Sequence, residues 1–422
     1  MTDTAKNIRI KESYAKTLAK RATQSCRVYT VKVQANKLNK QQREHLKMLF
    51  VEAKWMYNHV LNLSKRGDDI YGINYKDLGT VTHLDKDRNP IETELKHLSS
   101  QMRQAVIDGI CGSIKGLAHA KAKGEKVGRL KFISEYTSIN LKQASVSYKL
   151  VGKDKVKLQG LRKPIKVNGL GQVLSLGEYD LANAKLIQRS GDYYVAVTVY
   201  TAKKDNHEPK RMVGIDLGCK TCVTLSNGEK HECRVEETER IKELRRRISR
   251  SAKGSNNRHK LCLKLRKKEQ ELASKRDDFA NKLCHMLDNY VVVMQDEQIA
   301  QWAKSRHGKA VSYGALGRVK DKLMKREDTI VLSKWCPTTK LCAECGERVP
   351  LKLSERTFVC PRCGHTHDRD VHAAENMLWF ADHKIGVGRT VTLEEILKDI
   401  ERLFQSDGTV NPQEAAKPSG WR

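Results

Sequence analysis

The chain has 422 residues, enough for two or three domains with substantial cores. Its 80 lysines and arginines outweigh 50 acidic residues, and the formal net charge of +30 favours nucleic acid as a partner. The sequence has no apolar run of about 18 residues, the length needed to span a bilayer. Its first residues lack the apolar core of a secretory signal. The twelve cysteines therefore predict a reducing, cytoplasmic compartment in which thiols stay free or bind metal.

The first 122 residues combine a basic segment, one strand and two helices. Residues 1–26 are basic without a clear apolar pattern, which predicts a mobile arm that becomes ordered on nucleic acid. Residues 26–34 alternate in the manner of a strand. Asn39 is a candidate N-cap for a helix that runs to about residue 65. Apolar residues at helical spacing predict a second helix from residue 95 to about residue 122.

Residues 129–201 change to a period near two, with turn residues between short apolar runs. This pattern predicts a small β-barrel or sandwich that the strand at 26–34 could join. The helices at 39–122 would then be an insertion between strands of one β-domain. A polar, charged segment at 201–211 marks the predicted domain boundary.

The C-terminal half begins with a buried strand at 212–218 that carries a carboxylate, Asp216, among apolar neighbours. Residues 221–228 follow as its expected hairpin partner. Basic sequence at 237–288 has helical spacing with a break near Gly254, which predicts a helical hairpin. The remaining predicted elements are strands at 291–294 and 330–332, an amphipathic helix after residue 385, and a polar end expected to be disordered.

Four cysteines form two Cys-x-x-Cys knuckles, Cys342 with Cys345 and Cys360 with Cys363. Each knuckle places two thiolates on one tight turn, which is the spacing that tetrahedral Zn²⁺ requires. Four thiolates leave no open coordination position, so the predicted zinc is structural.

A further Cys-x-x-Cys, formed by Cys219 and Cys222, lacks a second pair, and Cys233 is its nearest candidate partner. We interpret these cysteines as strand residues. A second zinc site is the alternative.

Three carboxylates lie at the ends of separate elements, namely Asp216, Glu297 and Asp370. Clustered acids cost free energy unless cations neutralise them, and hard oxygen ligands suit Mg²⁺ or Mn²⁺. Two such ions about 4 Å apart can activate water and stabilise the leaving oxygen in phosphodiester hydrolysis. Each acid alone could be an ordinary turn or surface residue, but the combination beside a zinc ribbon favours catalysis. Asp296 is the alternative to Glu297, and Asp368 competes with Asp370.

The basic helices within 237–276 predict a surface that binds the phosphates of a nucleic-acid backbone. The second N-terminal helix carries side chains suited to hydrogen-bond with base edges. A solvated helix face is the simpler alternative for both. The candidate nucleic-acid-binding residues are Gln101, Arg103, Gln104, Arg245, Arg246, Arg247, Lys264 and Arg266.

The order of these motifs resembles that of the transposon-encoded TnpB nucleases and of their descendants, the miniature type V-F CRISPR effectors. The resemblance covers essentially the whole chain. It rests on GIDLG at 214–218, QDEQI at 295–299, the two cysteine pairs, and DRDVHAAENM at 368–377. Two positions depart from the family pattern. The usual middle motif is Glu-Asp-Leu, so the register of the catalytic glutamate differs, and His372 stands where asparagine is usual.

The resemblance implies a multidomain α+β fold in which a RuvC nuclease domain of RNase H-like fold follows a β-barrel. The implied N-terminal half consists of a basic arm (1–26) and a β-barrel wedge domain (27–38 and 123–204) with an inserted helical recognition domain (39–122). The implied C-terminal half consists of the RuvC domain (205–340 and 367–385) with an inserted zinc ribbon that binds target nucleic acid (341–366). A C-terminal tail (386–422) follows.

The resemblance also implies RNA-guided cleavage of DNA at a single site after recognition of a short adjacent motif. Asp216, Glu297 and Asp370 would be the catalytic residues and hold two Mg²⁺ or Mn²⁺ ions, and the four knuckle cysteines would hold Zn²⁺. The partners would be a guide RNA, double-stranded target DNA and single-stranded DNA, in a prokaryotic cytoplasm. A CRISPR effector, favoured by the N-terminal arm, would form a homodimer on one guide RNA, whereas a transposon-encoded nuclease would act as a monomer.

Three further alternatives remain open for the function. They are a guide-dependent repressor without cleavage, a transposase that joins DNA ends, and a zinc-stabilised RNA-binding protein. Intact acids at all three positions favour a nuclease over the repressor.

Overall fold

A computed structural model describes residues 5–85, 87–203, 210–305, 308–352 and 354–406. The chain divides into two units, residues 1–206 and 207–422, and each unit has its own hydrophobic core. Both units contain helices and sheets, so the predicted multidomain α+β class is confirmed. Parts of three predicted segments lie outside the described residues, namely 1–4 of the arm, 204–209 at the domain boundary and 407–422 of the tail.

The elements of the first unit, in chain order, are α1 (Ala5–Ala22), β1 (Gln24–Val33), α2 (Lys40–Arg66), β2 (Thr80–Leu84), β3 (Pro90–Glu94), α3 (Ser100–Ala122), β4 (Ser138–Leu141), β5 (Tyr148–Val151), β6 (Lys155–Leu158), β7 (Ile165–Asn168), α4 (Gly171–Leu174), β8 (Asp180–Arg189) and β9 (Asp192–Ala202).

Seven strands of this unit form one antiparallel sheet in the order β4-β8-β9-β1-β7-β6-β5. Strand β1 lies in the middle and pairs with β9 over nine consecutive positions, beginning with Gln24 opposite Ala202. The edge strands β4 and β5 follow each other in the chain, and Ala144, in the loop after β4, forms a bridge with Tyr148, the first residue of β5. The sheet is thus a near-closed barrel, one of the two architectures that the sequence predicted.

The segment between β1 and β4 contains α2, the β2–β3 hairpin and α3. Asn39 caps α2, because its side chain accepts the N–H of Gln42 at 2.8 Å while the Gln42 side chain accepts the N–H of Asn39 at 3.0 Å. The helix ends at Gly67, whose φ of 97° is a left-handed conformation that favours glycine. The buried apolar face of α2 includes Leu46, Leu49, Phe50, Ala53, Met56 and Val60.

Three local features differ from the sequence-based predictions. The described part of the basic arm forms helix α1, whose end is held by Lys20, 2.7 Å from Asp180, and by Arg21 over the ring of Tyr200. Its Lys, Arg and Ala residues have high helix propensity. The β2–β3 hairpin is not among the predicted elements, and the first strand after α3, β4, begins only at Ser138, although the strand-like pattern starts at residue 129.

The elements of the second unit are β10 (Arg211–Leu217), β11 (Val223–Leu225), β12 (Lys230–His231), α5 (Glu239–Arg250), α6 (Asn256–Met286), β13 (Tyr290–Gln295), α7 (Ile299–Trp302), α8 (Gly308–Tyr313), α9 (Leu316–Leu323), β14 (Thr329–Leu332), β15 (Thr357–Val359), β16 (Thr366–Asp368), α10 (Arg369–Asp382) and α11 (Leu393–Ser406).

Five strands of the second unit form a mixed sheet in the order β12-β11-β10-β13-β14. Strands β10, β11 and β12 are antiparallel, whereas β13 and β14 run parallel to β10. Val292 and Met294 face the core built with α6 and α9, and Val293 between them faces the core built with α10 and α11. Because both faces are covered, β13 is almost entirely apolar.

Helix α10 packs directly against the backbone of β10. A Cβ atom at Gly214 would lie 1.8 Å from the carbonyl oxygen of Ala374, so only glycine permits this approach. Helix α11 packs on the same side through Ile396, Ile400 and Phe404. None of the helices within the described ranges is both long and apolar enough to cross a membrane.

Candidate active site and zinc ribbon

Asp216 and Glu297 lie at the same edge of the five-stranded sheet. Strands β10 and β13 are parallel, with Ile215 opposite Met294, and the carboxyl ends of parallel strands meet at one edge. Asp216 is therefore one residue past the last position of β10 that pairs with β13, and it still pairs with Thr224 of β11. Glu297 is two residues past the end of β13.

Asp370 reaches the same edge because of the close packing of α10. Ala374 contacts β10 at Gly214, and Asp370 lies one helical turn nearer to the start of α10. Asp368 occupies the N-cap, where its carboxylate accepts the N–H groups of Asp370 and Val371, each at 3.1 Å. Asp368 also lies 2.8 Å from Lys230, so this acid has structural partners of its own.

The electrostatics of the edge identify an anionic cluster. Burial, followed by the nearby charges of Glu297 and Asp370, raises the pKa of Asp216 to about 7. Burial also raises the pKa of Glu297 to about 7, although the ammonium group of Lys320 opposes that change. Neutralising these acids with divalent cations would remove the repulsion.

Asp296 has different surroundings from Glu297. Its carboxylate lies 2.6 Å from Nζ of Lys320 and 3.7 Å from Nε of Arg389. Asp370 also forms ion pairs, with Arg369 at 2.9 Å and with Arg356 at 3.6 Å. A divalent ion at Asp370 would have to compete with these two guanidinium groups.

The ribbon brings the four predicted cysteines together. Sγ of Cys342 lies 3.6 Å from that of Cys363, and Sγ of Cys345 lies 3.6 Å from that of Cys360. Four thiolates at the usual Zn–S distance of about 2.3 Å would stand about 3.8 Å apart. The observed spacing therefore fits a tetrahedral zinc ion, and the two knuckles indicate a zinc site.

Both knuckles turn on a glycine that follows the second cysteine. Gly346 and Gly364 each have a φ of 76°, which favours glycine. Their N–H groups donate to the carbonyl oxygens of Cys342 at 2.8 Å and Cys360 at 3.0 Å. These turns aim both thiolates of a knuckle at one point.

Within the described parts of the chain, the four cysteines are the one group of possible ligands gathered within 4.8 Å. The charges of Glu297 and Asp370 reach Asp216, but the three acids are not gathered within that distance. Cys219 is exposed, Cys222 is buried and Cys233 is half-buried, and burial raises the pKa of Cys222 to about 11. They are not gathered at ligand spacing, so the alternative of a second zinc site is not supported.

Sequence reasoning missed a set of buried polar residues between the ribbon and the sheet edge. Gln295, Thr338, His372 and Asn376 are all at most 6% exposed. Their signal in the sequence is weak, since each is a single polar residue beside apolar ones. For His372, the sequence shows only that this residue departs from the family pattern.

The predicted nucleic-acid-binding residues of α3 have partners inside the first unit. Arg103 donates to the carbonyl oxygens of Leu98 at 3.1 Å and Leu95 at 2.8 Å. The side chain of Gln101 hydrogen-bonds with Ser147 and Gln143, and Gln104 is half-buried. Arg103 and Gln101 thus hold local structure as well as any ligand.

The predicted residues of α5 and α6 are more exposed. Arg245 pairs with Glu237 and Glu269, Arg246 with Glu239 at 3.9 Å, and Arg247 with Glu243 at 3.7 Å. Lys264 and Arg266 are exposed on α6. Ion pairs at exposed sites contribute little and exchange readily, so these groups remain available to phosphates.

Comparisons with known proteins match two segments of this chain to family models. Residues 318–377 match the model of the Cas12f1-like TNB domain, and residues 194–299 match the OrfB_IS605 model, described as "Probable transposase". The first match contains the four cysteines and Asp370, and the second contains Asp216 and Glu297. These two segments of the chain are therefore similar to the TnpB and Cas12f family.

Two curated relatives of this chain carry matching names. A "Putative RNA-guided DNA endonuclease" of Streptomyces pristinaespiralis is 34% identical over 204 residues, which cover 45% of this chain and 50% of the relative. The "Putative RNA-guided DNA endonuclease InsQ" of Escherichia coli strain K12 is 26% identical over 243 residues, which cover 51% and 60%. The matched region thus spans about half the length of the relatives.

A solved structure titled "Cryo-EM structure of the Cas12f1-sgRNA-target DNA complex" aligns with 84% of this chain and 98% of that chain. The identity is 11% and the TM-score is 0.25.

Proposed function

We infer that this protein is an RNA-guided DNA endonuclease whose nuclease site is the anionic cluster of Asp216, Glu297 and Asp370. The observation that carries this inference is the convergence of these acids, from three segments of the chain, at one sheet edge. Burial, and then the charges of Glu297 and Asp370, raise the pKa of Asp216 to about 7. Perturbed carboxylates that converge at a sheet edge are typical of functional sites. The similarity to the TnpB and Cas12f family models and the names of the curated relatives support the same activity.

The donor set fits Mg²⁺ or Mn²⁺, because all three side chains offer hard oxygen ligands that repel one another without a cation. When bound, the ions would supply an activated water and stabilise the leaving oxygen of a phosphodiester. Asp216 and Glu297 would hold them from the sheet, and Asp370 from α10. The ion pairs of Asp296 and the capping role of Asp368 favour Glu297 and Asp370 over these neighbours.

A cavity beside Glu297 offers room for the nucleic-acid strand. It has a volume of about 540 Å³ and is lined in part by Arg276, Arg318 and Lys320, with Val311 on its apolar side. Cationic groups beside carboxylates would hold phosphates while the acids bind metal. The mixed sheet supports an RNase H-like fold for this unit, and the barrel with inserted helices supports the wedge and recognition domains.

The proposed assignment within the family is a miniature type V-F CRISPR effector, with a transposon-encoded TnpB nuclease as the alternative. The basic helix α1 at the N-terminus favours the former. Sequencing the RNA that copurifies from the native locus separates them, since repeat-derived guides support the effector and RNA from transposon ends supports the nuclease. The mass of the RNA complex tests the proposed homodimer.

Cleavage of a matched plasmid in the presence of Mg²⁺ tests the activity. Asp216→Asn, Glu297→Gln and Asp370→Asn should each reduce cleavage by at least about 100-fold while guide-dependent DNA binding persists. Glu375→Gln is the matched control, because Glu375 is 42% exposed on the same helix as Asp370 and should cleave normally. Cleavage that persists in all three variants would refute the assignment.

A further inference from the structure

Four buried polar side chains connect the zinc ribbon to the two elements that carry Glu297 and Asp370. Gln295 is 6% exposed, Thr338 is 3%, His372 is 2% and Asn376 is 1%. Buried polar groups cost free energy unless they are hydrogen-bonded, and a fully bonded set fixes one arrangement of its surroundings. We call these four residues the bridging cluster.

The bridging cluster begins at the end of β13. Gln295 is the last residue of that strand and lies two positions before Glu297. Its Nε2 donates to the carbonyl oxygens of Ser333 at 3.1 Å and Cys336 at 2.8 Å. Its Oε1 accepts the hydroxyl of Thr338 at 3.1 Å. The end of β13 is thereby tied to the turn that leads into the ribbon.

The same turn is tied to α10. Nδ2 of Asn376 donates to the carbonyl oxygens of Thr338 at 2.6 Å and Leu341 at 2.7 Å. Nε2 of His372 lies 2.8 Å from the Leu341 oxygen. That oxygen can only accept, so the contact places the imidazole hydrogen on Nε2. The next residue after Leu341 is the first zinc ligand, Cys342.

His372 also touches the second half of the ribbon. Its ring stacks on Phe358, with centroids 3.8 Å apart and planes 20° apart. Phe358 is fully buried in the small core that includes Cys342 and Cys360, and it precedes Cys360 by two residues. One side chain of α10, two positions after Asp370, thus contacts residues next to both knuckles.

We propose that the bridging cluster positions Glu297 and Asp370 according to whether the zinc ribbon is folded. With zinc bound, the carbonyl oxygens of Thr338 and Leu341 and the ring of Phe358 hold the first turn of α10 and the end of β13 in register. Without zinc, both segments lose these partners and the acids separate. The consequence for divalent ions rests on the proposed function, but the mechanical coupling does not.

Thr338 gives the sharpest test because its hydroxyl and its carbonyl have separate roles. Thr338→Val keeps the side-chain shape and the carbonyl oxygen bound by Asn376 but leaves Oε1 of Gln295 without its donor. Thr338→Ser restores the hydroxyl. In the zinc-loaded full chain, Thr338→Val should weaken Mn²⁺ binding about 10-fold by isothermal titration, the usual effect of losing a residue that supports a metal ligand. Thr338→Ser should bind Mn²⁺ nearly as wild type does, and both variants should retain zinc and guide RNA.

Removal of zinc supplies the second arm. In the wild type, zinc-depleted protein should bind Mn²⁺ at least about 10-fold more weakly, and Mn²⁺ should raise zinc affinity by the same factor, since coupling between two sites is reciprocal. In Thr338→Val the factor should be smaller. Equal Mn²⁺ affinities with and without zinc, or a valine variant that behaves as wild type, would overturn the proposal.

Hydrogen exchange distinguishes failure of the coupling from failure of the proposed function. Zinc removal should accelerate amide exchange in the first turn of α10 and at the end of β13, with no Mn²⁺ present, and less additional acceleration should occur in Thr338→Val. If this result holds while wild type and Asp216→Asn bind Mn²⁺ equally, the metal site is wrong and the coupling stands. If neither segment responds to zinc, the coupling itself is wrong.

Discussion

Replacing Asp216 with asparagine is expected to stabilise the Mg²⁺-free protein, increasingly so as the pH rises. Burial and the charges of Glu297 and Asp370 raise the pKa of Asp216 to about 7, whereas an unfolded aspartate titrates at about 3.9. Between these values the folded state holds a proton that the unfolded state has lost. The stability contributed by this proton is complete below about pH 4 and is lost as the pH rises through about 7. Asparagine has a similar shape and no such dependence.

The expected magnitude follows from the two pKa values. At about pH 5.5 Asp216 lowers the free energy of unfolding by about 2 kcal/mol relative to a neutral side chain, and at about pH 8 by about 4 kcal/mol. Asp216 is half-buried, and solvent screening makes these upper values. The difference between variant and wild type should therefore widen by up to about 2 kcal/mol across this range. That corresponds to about 4–8 °C in melting temperature for a unit of this size.

Differential scanning calorimetry of the zinc-loaded full chain in Mg²⁺-free buffer measures this difference. Asp296→Asn is the matched control, because it removes a carboxylate held by Lys320 and Arg389 and should destabilise the protein by about 1 kcal/mol at both pH values. Added Mg²⁺ should raise the melting temperature of the wild type more than that of Asp216→Asn. Parallel pH curves for Asp216→Asn and wild type would refute the electrostatic account.

Three further outcomes are expected. Gly214→Ala should lower the free energy of unfolding by about 1–3 kcal/mol and abolish divalent-ion binding, because its Cβ would clash with α10. The control Gly317→Ala has open space around its Cβ and should be neutral or stabilising by calorimetry. Glu52→Gln should lower the free energy of unfolding of the first unit by about 2 kcal/mol in urea denaturation, since the buried carboxylate accepts three backbone N–H groups. Replacing the exposed Glu92 with glutamine should leave the urea midpoint unchanged. Equal midpoints for Glu52→Gln and wild type would contradict this role of Glu52. Cys342→Ser should lose bound zinc in a metal assay and melt at lower temperature, and full retention of zinc would contradict the ribbon.

Local patterns were the part of the fold that the sequence could predict. Asn39 and the apolar stripe after it predict the start and the end of α2, because both bounds depend on residues that are neighbours in the sequence. The knuckle at Cys342 and Cys345 is likewise a local spacing. Asp216 stood out because a carboxylate within an apolar strand needs a reason.

The remaining features depend on contacts between distant segments. Asp296 and Glu297 are adjacent, and only the positions of Lys320 and Arg389 distinguish their environments. The role of His372 was hidden because its partners, Leu341 and Phe358, lie in other elements. Tertiary packing decides such assignments, which spacing along a single sequence cannot show.

The pairing of β1 with β9 has a consequence for synthesis on the ribosome. Gln24 lies opposite Ala202, so the first strand waits for a partner made about 170 residues later. At common translation speeds that interval is roughly 10–35 s, during which an apolar strand remains unmatched. The inserted helices emerge before β9 and can pack through their own apolar residues, so the barrel closes around an insertion that already has helical structure.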